Sequence, residues 1–370
     1  MRRSFLVVTA ALTMFLAIGS AWQAASSGPY KVLKTVKTGG LGGFDYIYAD
    51  VAGRRLYIPR SGQPGATPPV TPRITVFDLD TLAPAGEIPD IRANGAAVDA
   101  KSGHGFVSSK PVAMWDTKTL KLIKTIEVQG NPDGILEDPF NERVYVLSHQ
   151  APHVTVIDAK TGDIVGTLDL GGAPEQAVTD GKGHIYIDVS DKANVAVVDA
   201  KAMTVTAHYD LGDKGNGLAG LAMDVKNEVL FVAARNSGMP PAQPAKPMMV
   251  ILSAKDGKIL TSLPLAGASD GAVFYPATKE AFSTHGNGTL TVVRETNPTT
   301  FEVEQNLDTM AGAKTLTLDT KTHHILTMAA EYGPAPAARP AGTPPGRGFG
   351  RGPARGPMLA DSFSILVVGK

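Results

Sequence analysis

The sequence predicts an all-β protein, a seven-bladed β-propeller built from four-stranded antiparallel blades. Three observations support this fold class. Residues 131–172 contain four short β-type runs, similar units recur about every 40 to 50 residues, and the two ends of the chain supply complementary parts of one blade. One four-stranded unit cannot bury both of its faces alone, so the pattern requires packed neighbours on either side.

The unit at 131–172 shows how one blade is encoded. Its β-type runs are rich in Val, Ile, Leu and Tyr, which suit a pleated surface, and they cover residues 134–137, 144–147, 154–157 and 164–168. Turn residues separate the runs: Asp138-Pro139 after the first, His149 to Pro152 after the second, and Lys160 to Asp163 after the third. The spacing predicts three consecutive hairpins.

Two marks repeat along the chain and give the number of blades. The residue that closes the innermost strand is an Asp in six units and a Tyr in the remaining one: Asp50, Asp99, Asp138, Asp180, Asp224, Tyr275 and Asp319. The third strands are predicted at 74–78, 112–116, 154–158, 195–199, 249–253, 290–294 and 363–367. Both marks indicate seven units.

The seventh unit lacks an outer strand, because the sequence stops at Lys370 soon after its third strand. Residues 30–36 read YKVLKTV and resemble the outer strand LKLIKTI at 120–126. We therefore expect the N-terminal segment to pair in the C-terminal blade and close the ring. Closure would remove the exposed strand edges that an open array presents.

Composition restricts the classes of function. Only 19% of the 370 residues are charged, and Lys plus Arg and Asp plus Glu balance at 35 each. A general nucleic-acid-binding protein would show a basic excess, so no specific nucleic-acid partner is expected. The chain has no cysteine, which excludes disulfides, thiolate metal sites and cysteine nucleophiles.

The N-terminus has the features of an export signal. Arg2 and Arg3 precede an apolar run at 5–18, and small residues follow at 19–21. The run is shorter than a membrane span needs, so we interpret residues 1–21 as a signal peptide and residues 22–370 as one propeller domain. The export route is either the ordinary secretory one or the twin-arginine one, and the mature protein is expected in the periplasm or secreted, as a monomer without a transmembrane span.

Three insertions, 61–72, 237–247 and 333–360, interrupt the regular spacing. Each falls between the second and third strands of its blade, so all three are predicted on one face of the disc, which we take as the candidate working face. The longest insertion carries Arg339, Arg347, Arg351 and Arg355 with no acidic residue. We interpret it as a flexible arm that folds over the mouth of the channel or meets an anionic surface.

The repeat residues resemble a known family. The segments Asn131-Pro132-Asp133, Val144-Tyr145-Val146 and Val154 to Asp158 are similar to the YVTN-type repeat. Across its mature length the chain resembles the YncE-like family of exported bacterial β-propellers, a WD40-like architecture. The resemblance implies the propeller fold and a periplasmic or surface location, and it implies no particular activity.

The register of the repeats places a ring of polar residues where the innermost strands enter the central channel. The residues five positions before each strand-closing mark are Asp45, Asn94, Asp133, Glu175, Ala219, Asp270 and Lys314. The residues that end the second strands should lie just above them: Arg60, His149, Asp188, Arg235, His285 and Glu331. We predict a net acidic, ligand-binding channel mouth on the face that carries the insertions.

Crowded carboxylates must be balanced by a cation, by protonation or by neighbouring basic side chains. Lys314, Arg60 and Arg235 could balance them internally. Alternatively, Asp133, Glu175 and Asp270 could supply oxygen ligands to a divalent cation such as Ca²⁺ or Mg²⁺. His149 and His285 would also allow Zn²⁺ or Fe²⁺. Channel waters bonded to polar strand ends are a further alternative.

Two functions remain open at this point. The first is a non-catalytic scaffold that binds a small molecule, a cation or a periplasmic or surface protein at the channel mouth. The second is a metal-assisted lactone hydrolase or a sugar or lactone lyase, in which the metal polarises a carbonyl and His149 or His285 moves a proton. The chain has no nucleophile elbow, phosphate loop or zinc-protease helix motif, and nothing in it indicates a haem or quinone.

Overall fold

The fold is a ring of seven antiparallel sheets. The computed structural model describes residues 28–236, 246–334 and 356–370. These residues form seven four-stranded sheets, so the prediction of a seven-bladed β-propeller is confirmed. The predicted signal peptide and most of the insertions at 237–247 and 333–360 lie outside the described residues.

The strands follow one another from the channel outward in each blade. The first strand, β1 (Lys31–Lys37), belongs to blade seven. Blades one to three contain β2 (Tyr48–Asp50), β3 (Arg55–Arg60), β4 (Arg73–Asp78), β5 (Pro84–Pro89), β6 (Ala96–Asp99), β7 (His104–Val107), β8 (Val112–Asp116), β9 (Leu122–Ile126), β10 (Pro132–Asp138), β11 (Arg143–Ser148), β12 (Val154–Asp158) and β13 (Ile164–Leu168).

The remaining blades follow the same plan. Blades four to six contain β14 (Pro174–Thr179), β15 (His184–Val189), β16 (Asn194–Asp199), β17 (Thr204–Asp210), β18 (Leu218–Asp224), β19 (Val229–Ala234), β20 (Met248–Ser253), β21 (Ile259–Pro264), β22 (Ser269–Tyr275), β23 (Glu280–His285), β24 (Thr289–Asn297) and β25 (Thr300–Asp308). Blade seven contains β26 (Lys314–Asp319), β27 (His324–Ala329) and β28 (Ser364–Gly369). No helix in the described ranges is long and apolar enough to cross a membrane.

Blade seven is completed by the N-terminal strand, as the sequence predicts. Its strand order is β26-β27-β28-β1 from the channel outward, and β1 pairs antiparallel with β28 from Lys31 opposite Gly369 to Lys37 opposite Ser364. The two ends of the described chain therefore meet in one sheet, and the ring has no gap between its first and last blades.

Blade six also holds the start of β1 in place. The Gln305 side chain accepts a hydrogen bond from the Tyr30 backbone N–H at 2.9 Å and donates one to the Tyr30 carbonyl at 2.9 Å. The Tyr30 hydroxyl donates to the buried carboxylate of Glu280, which also pairs with the Lys370 amine at 3.0 Å. One buried carboxylate therefore contacts both terminal segments of the ring.

Apolar side chains fill the wedges between neighbouring blades. Trp115 in blade two is fully buried, and its ring lies 5.5 Å from the ring of Tyr57 in blade one. The same cluster includes Ile74, Val76 and Val107. Because each blade buries its faces only against its neighbours, the stability of the ring depends on every interface being closed.

Candidate functional site

Irregularities at the start of the innermost strands release polar side chains into the channel. The register of β10 against β11 shifts between Pro132 and Ile135, around Asp133. The shift in β14 falls between Pro174 and Ala177, around Glu175, and the shift in β22 surrounds Asp270 in the same way. An extra residue in one strand of an antiparallel pair re-aims its side chain, so in blades three, four and six the shift turns a carboxylate toward the axis.

One half of the channel mouth is acidic and centres on His149. The Nε2 atom of His149 lies 3.2 Å from Oε2 of Glu175 and 3.3 Å from Oδ2 of Asp133. Asn94 donates its amide hydrogen to the other Asp133 oxygen at 2.8 Å. Two carboxylates from neighbouring blades therefore converge on one imidazole nitrogen.

The other half of the mouth is a chain of alternating charges. Lys314 contacts Asp45 at 2.8 Å and Asp270 at 3.1 Å. Arg235 contacts Asp270 at 2.8 Å and reaches Glu175 at 3.3 Å. The carboxylates on this side are thus neutralised by fixed cations of the protein itself.

The network as a whole has more acids than permanent bases. It contains the carboxylates of Asp45, Asp133, Glu175 and Asp270 against the permanent charges of Lys314 and Arg235. Hydrogen bonds to Asp133 and Glu175 raise the pKa of His149 to about 10, so the imidazole carries a proton that partly balances the excess. Burial raises the pKa of Asp45 to about 6, although the Lys314 amine opposes this shift.

Two long side chains span the channel below the charged network. Tyr46 reaches across from blade one and donates its hydroxyl to the Glu175 carbonyl oxygen at 3.1 Å. Gln176 accepts from the backbone N–H groups of Leu221 at 3.0 Å and Ala272 at 3.2 Å, and it donates to the Ala272 carbonyl at 3.1 Å. The candidate site is therefore a mouth with a floor of protein side chains.

The sequence contains a signal for this floor that the prediction missed. The residues that directly follow the predicted ring positions are Tyr46, Gly95, Gly134, Gln176, Gly220, Gly271 and Thr315. Four glycines among these positions let neighbouring inner strands approach closely, as at Gly220, where an added Cβ would lie 2.8 Å from the backbone of Gly271. The Tyr and the Gln are the two large side chains in this set, and both extend across the channel.

Three predicted mouth residues make their contacts elsewhere. Arg60 is buried and donates to the carbonyls of Gly40 and Gly42, with its guanidinium 3.8 Å from the ring centre of Phe363. Glu331 is exposed, two residues beyond the end of β27, and its backbone bonds to Ser362 and Leu359. Arg60 therefore holds a loop beside blade one, and it forms no ion pair with a carboxylate of the described residues.

His285, the third of these residues, is fully buried at the end of β23. Its Nδ1 atom lies 2.9 Å from the Thr289 hydroxyl, and its Nε2 atom has no hydrogen-bond partner among the described residues. Asp188 is also buried, behind Glu175, and its Oδ1 accepts from the backbone N–H groups of Glu175 and Gln176. Burial raises the pKa of Asp188 to about 7. Asp188 therefore supports the backbone of Glu175 from behind the mouth.

The burial of His285 gives a pH-dependent stability. Burial lowers the pKa of His285 to about 4, whereas a histidine in an unfolded chain titrates near 6.5. Between these values the unfolded state binds the extra proton, so the free energy of unfolding falls as the pH drops from about 6.5 to about 4, by up to roughly 3 kcal/mol from this residue. In His285→Asn this contribution to the pH dependence of the unfolding free energy should be absent. It is measured by comparing denaturant unfolding curves of the variant and the wild type at several pH values. His208→Asn, at an exposed histidine, should instead follow the wild type.

A candidate metal-binding set lies in the acidic half. The oxygens of Asp133 and Glu175 and the ring nitrogen of His149 lie within 4.8 Å of one another. This set differs from the predicted trio, because Asp270 is bonded to Arg235 and Lys314 and the imidazole takes its place. A nitrogen donor with two carboxylates suits Zn²⁺ and other first-row divalent ions better than Ca²⁺ or Mg²⁺.

Comparisons with known proteins identify the architecture. No family model matches the chain, and no curated protein matches it in sequence. Among solved structures, one similar chain comes from Kuenenia stuttgartiensis hydrazine synthase, with a TM-score of 0.65 over 79% of this chain and 94% of that chain, at 17% identity. The two chains share a fold. At that identity the likeness says nothing of activity, and the resemblance to YVTN-repeat proteins stays a prediction.

Proposed function

We propose that this propeller is an exported binding scaffold of the YVTN-repeat type that holds a divalent metal ion at its channel mouth, between Asp133, His149 and Glu175. The observation that carries the proposal is the convergence of both carboxylates on Nε2 of His149, at 3.3 and 3.2 Å. A metal ion at this position would take one donor atom from each side chain, in place of the proton that the imidazole shares with the two carboxylates.

The charge distribution around the three side chains also favours a cation. Lys314 and Arg235 are committed to Asp45, Asp270 and one oxygen of Glu175. This leaves Asp133 and the second oxygen of Glu175 with His149 and uncharged donors. A divalent ion would therefore complete the neutralisation of the mouth.

A binding role accords with the rest of the site. Tyr46 and Gln176 close the channel beneath the charged groups, so a ligand would approach from the face that carries the insertions. A small molecule with an oxygen donor, or a side chain of a periplasmic or surface protein, could complete the coordination of an ion held there. Metal-dependent recognition of such a partner is the function that this arrangement supports best.

The first test is metal binding by the mature protein. We expect isothermal titration calorimetry of metal-free protein to show about one Zn²⁺ bound per chain, with Ca²⁺ binding far more weakly. The double variant Asp133→Asn/Glu175→Gln should lose at least 100-fold in Zn²⁺ affinity, since even outer-shell partners of a metal contribute about 10–100-fold. Elemental analysis of protein purified without chelator should show the same difference.

A matched control uses the other carboxylate pair. Asp45→Asn/Asp270→Asn removes two charges from the same mouth but leaves the three proposed ligands intact. Its Zn²⁺ affinity should stay within about tenfold of wild type. Equal losses in both double variants, or no binding of Zn²⁺, Mn²⁺ or Ca²⁺ by the wild type, would show that the mouth is balanced internally and holds no metal.

One observation favours a catalytic alternative. Three protein ligands at an accessible mouth leave coordination positions for water, as in catalytic zinc sites. The second candidate function is therefore a metal-assisted lactone hydrolase or a sugar or lactone lyase at the same mouth. Zinc-loaded wild type would then turn over a panel of lactones and uronates, and the Asp133→Asn/Glu175→Gln variant would not; binding of zinc without turnover supports the scaffold.

A further inference from the structure

A side chain at the start of the second strand links neighbouring blades on the face opposite the mouth. In blades one to three this residue is Arg55, His104 or Arg143. Each donates to the carbonyl that follows the third strand of the next blade, respectively Thr117, Ala159 and Ala200. The nitrogen-to-oxygen distances for His104 and Arg143 are 2.9 and 3.3 Å. We call this contact the interblade link.

In blade four the residue at this position does not make the interblade link, and the first turn of the blade is shorter. Four positions separate Asp180 from His184, whereas five separate the corresponding residues in the other blades, such as Asp138 and Arg143. The ring of His184 consequently bonds back to its own Asp180, with 2.9 Å between Nδ1 and Oδ2. The Ala254 carbonyl in blade five, which would be its partner, accepts instead from tyrosine hydroxyls of blade four.

A cleft of about 570 Å³ lies between blades four and five, beside the turn where the link is not made. Its volume falls within the range of small-molecule sites, about 300–1,000 Å³. Its apolar lining includes Tyr186, Tyr209 and Met223. Both tyrosine hydroxyls are already bonded to the Ala254 carbonyl, at 3.1 and 3.0 Å. A ligand would therefore pack against the aromatic rings of these two residues.

Most of the charged groups that line the cleft are bonded to one another. Asp180 is bonded to His184, and Glu228 pairs with Lys255 at 2.8 Å. Lys182 also lines the cleft and forms no ion pair with any residue that the structure describes. An aromatic wall beside an uncommitted ammonium suits a flat ligand that carries a negative charge.

We propose that this cleft is a second binding site, which takes a small aromatic carboxylate. The aromatic part lies against Tyr186, Tyr209 and Met223, and the carboxylate accepts hydrogen bonds from Lys182. The site is independent of the channel mouth, because the two lie on opposite faces of the disc.

The test compares an acid with its uncharged analogue. Indole-3-acetate and indole-3-acetamide share the same ring and differ in charge, and their affinities are measured by calorimetry and by saturation-transfer NMR on the wild-type protein. The acid should bind at least about tenfold more tightly than the amide, as one charge-assisted contact allows. Lys182→Gln should remove this difference and leave the amide affinity unchanged.

Two further variants test whether the probes bind in this cleft. Ala207→Trp places a large side chain on the wall of the cleft, and it should abolish binding of both probes. Inserting one alanine after Gly181 gives the turn the length found in blade three, which should restore the interblade link and also abolish binding. Lys160→Gln, at an exposed lysine in a turn of blade three, serves as the control and should bind like wild type.

Three results would overturn the proposal: equal affinity for acid and amide, binding of the acid that survives Ala207→Trp, or no binding of either probe at millimolar concentration. Melting temperatures of all variants establish that each protein is folded in the assay. Zinc affinity, measured in parallel, should be unchanged in every cleft variant, so failure at either site is separately visible.

Discussion

A variant that lacks residues 28–37 is expected to melt at least about 10 °C below the intact protein, because the deletion removes the outer strand of blade seven. Strand β1 pairs with β28 from Lys31 to Lys37, and it carries Val32 and Val36 against the core of the last blade. The deletion also removes Tyr30, which is buried and bonded to Gln305 and Glu280. Burial of these side chains alone contributes roughly 5 kcal/mol.

The control is a cut of equal length that leaves β1 intact. Removing residues 340–349, within the predicted insertion 333–360, should change the melting temperature by no more than a few degrees. Melting is followed by circular dichroism on both variants. Similar melting temperatures for the two deletions would mean that the ring does not depend on pairing between its first and last strands.

The architecture could be predicted from the sequence because each of the seven repeats encodes the same blade independently. Each blade has its own turn residue after the inner strand, such as Asp138 or Asp224, and its own β-branched third strand. An error in one unit therefore does not change the number of blades. Closure by β1 could be predicted as well, since a missing outer strand at one end and an extra strand at the other are both visible in the sequence.

From the sequence, the site could be predicted only for those residues whose position depends on the backbone register alone. Asp133, Glu175, Asp270 and Lys314 occupy equivalent repeat positions, and the structure brings their side chains into one network. Register cannot say how a long side chain turns once it leaves the strand. Arg60 packs on Phe363 away from this network, although it ends a second strand like His149.

The repeat pattern also does not predict which carboxylate pairs with which cation. The choice between Asp270 and His149 as the neighbour of Asp133 and Glu175 depends on Arg235 and Lys314, whose contacts join different blades. Tyr46 reaches from blade one to blade four, a contact between residues 129 positions apart. Contacts of this kind depend on the assembled ring, so they are seen only when the structure is known.

Substituting Gly134 with alanine is expected to damage both the fold and the channel mouth. An added Cβ would lie 2.4 Å from the backbone oxygen of Glu175, a distance that real contacts essentially never show. That oxygen also accepts the Tyr46 hydroxyl, so it cannot move without breaking a hydrogen bond. The inner strands of blades three and four must therefore separate, which we expect to cost about 3 kcal/mol of unfolding free energy.

The same displacement should be visible at the proposed metal site. Separation of the two strands moves Glu175 away from Asp133 and His149, so Gly134→Ala should bind Zn²⁺ at least about tenfold more weakly than wild type. Gly65→Ala is the matched control, because nothing lies within 4 Å of the added methyl group in that loop. In Gly65→Ala the free energy of unfolding should change by less than about 1 kcal/mol, and the zinc affinity should stay the same. If Gly134→Ala has the same melting temperature and zinc affinity as the wild type, then the close approach of blades three and four does not hold the two carboxylates together.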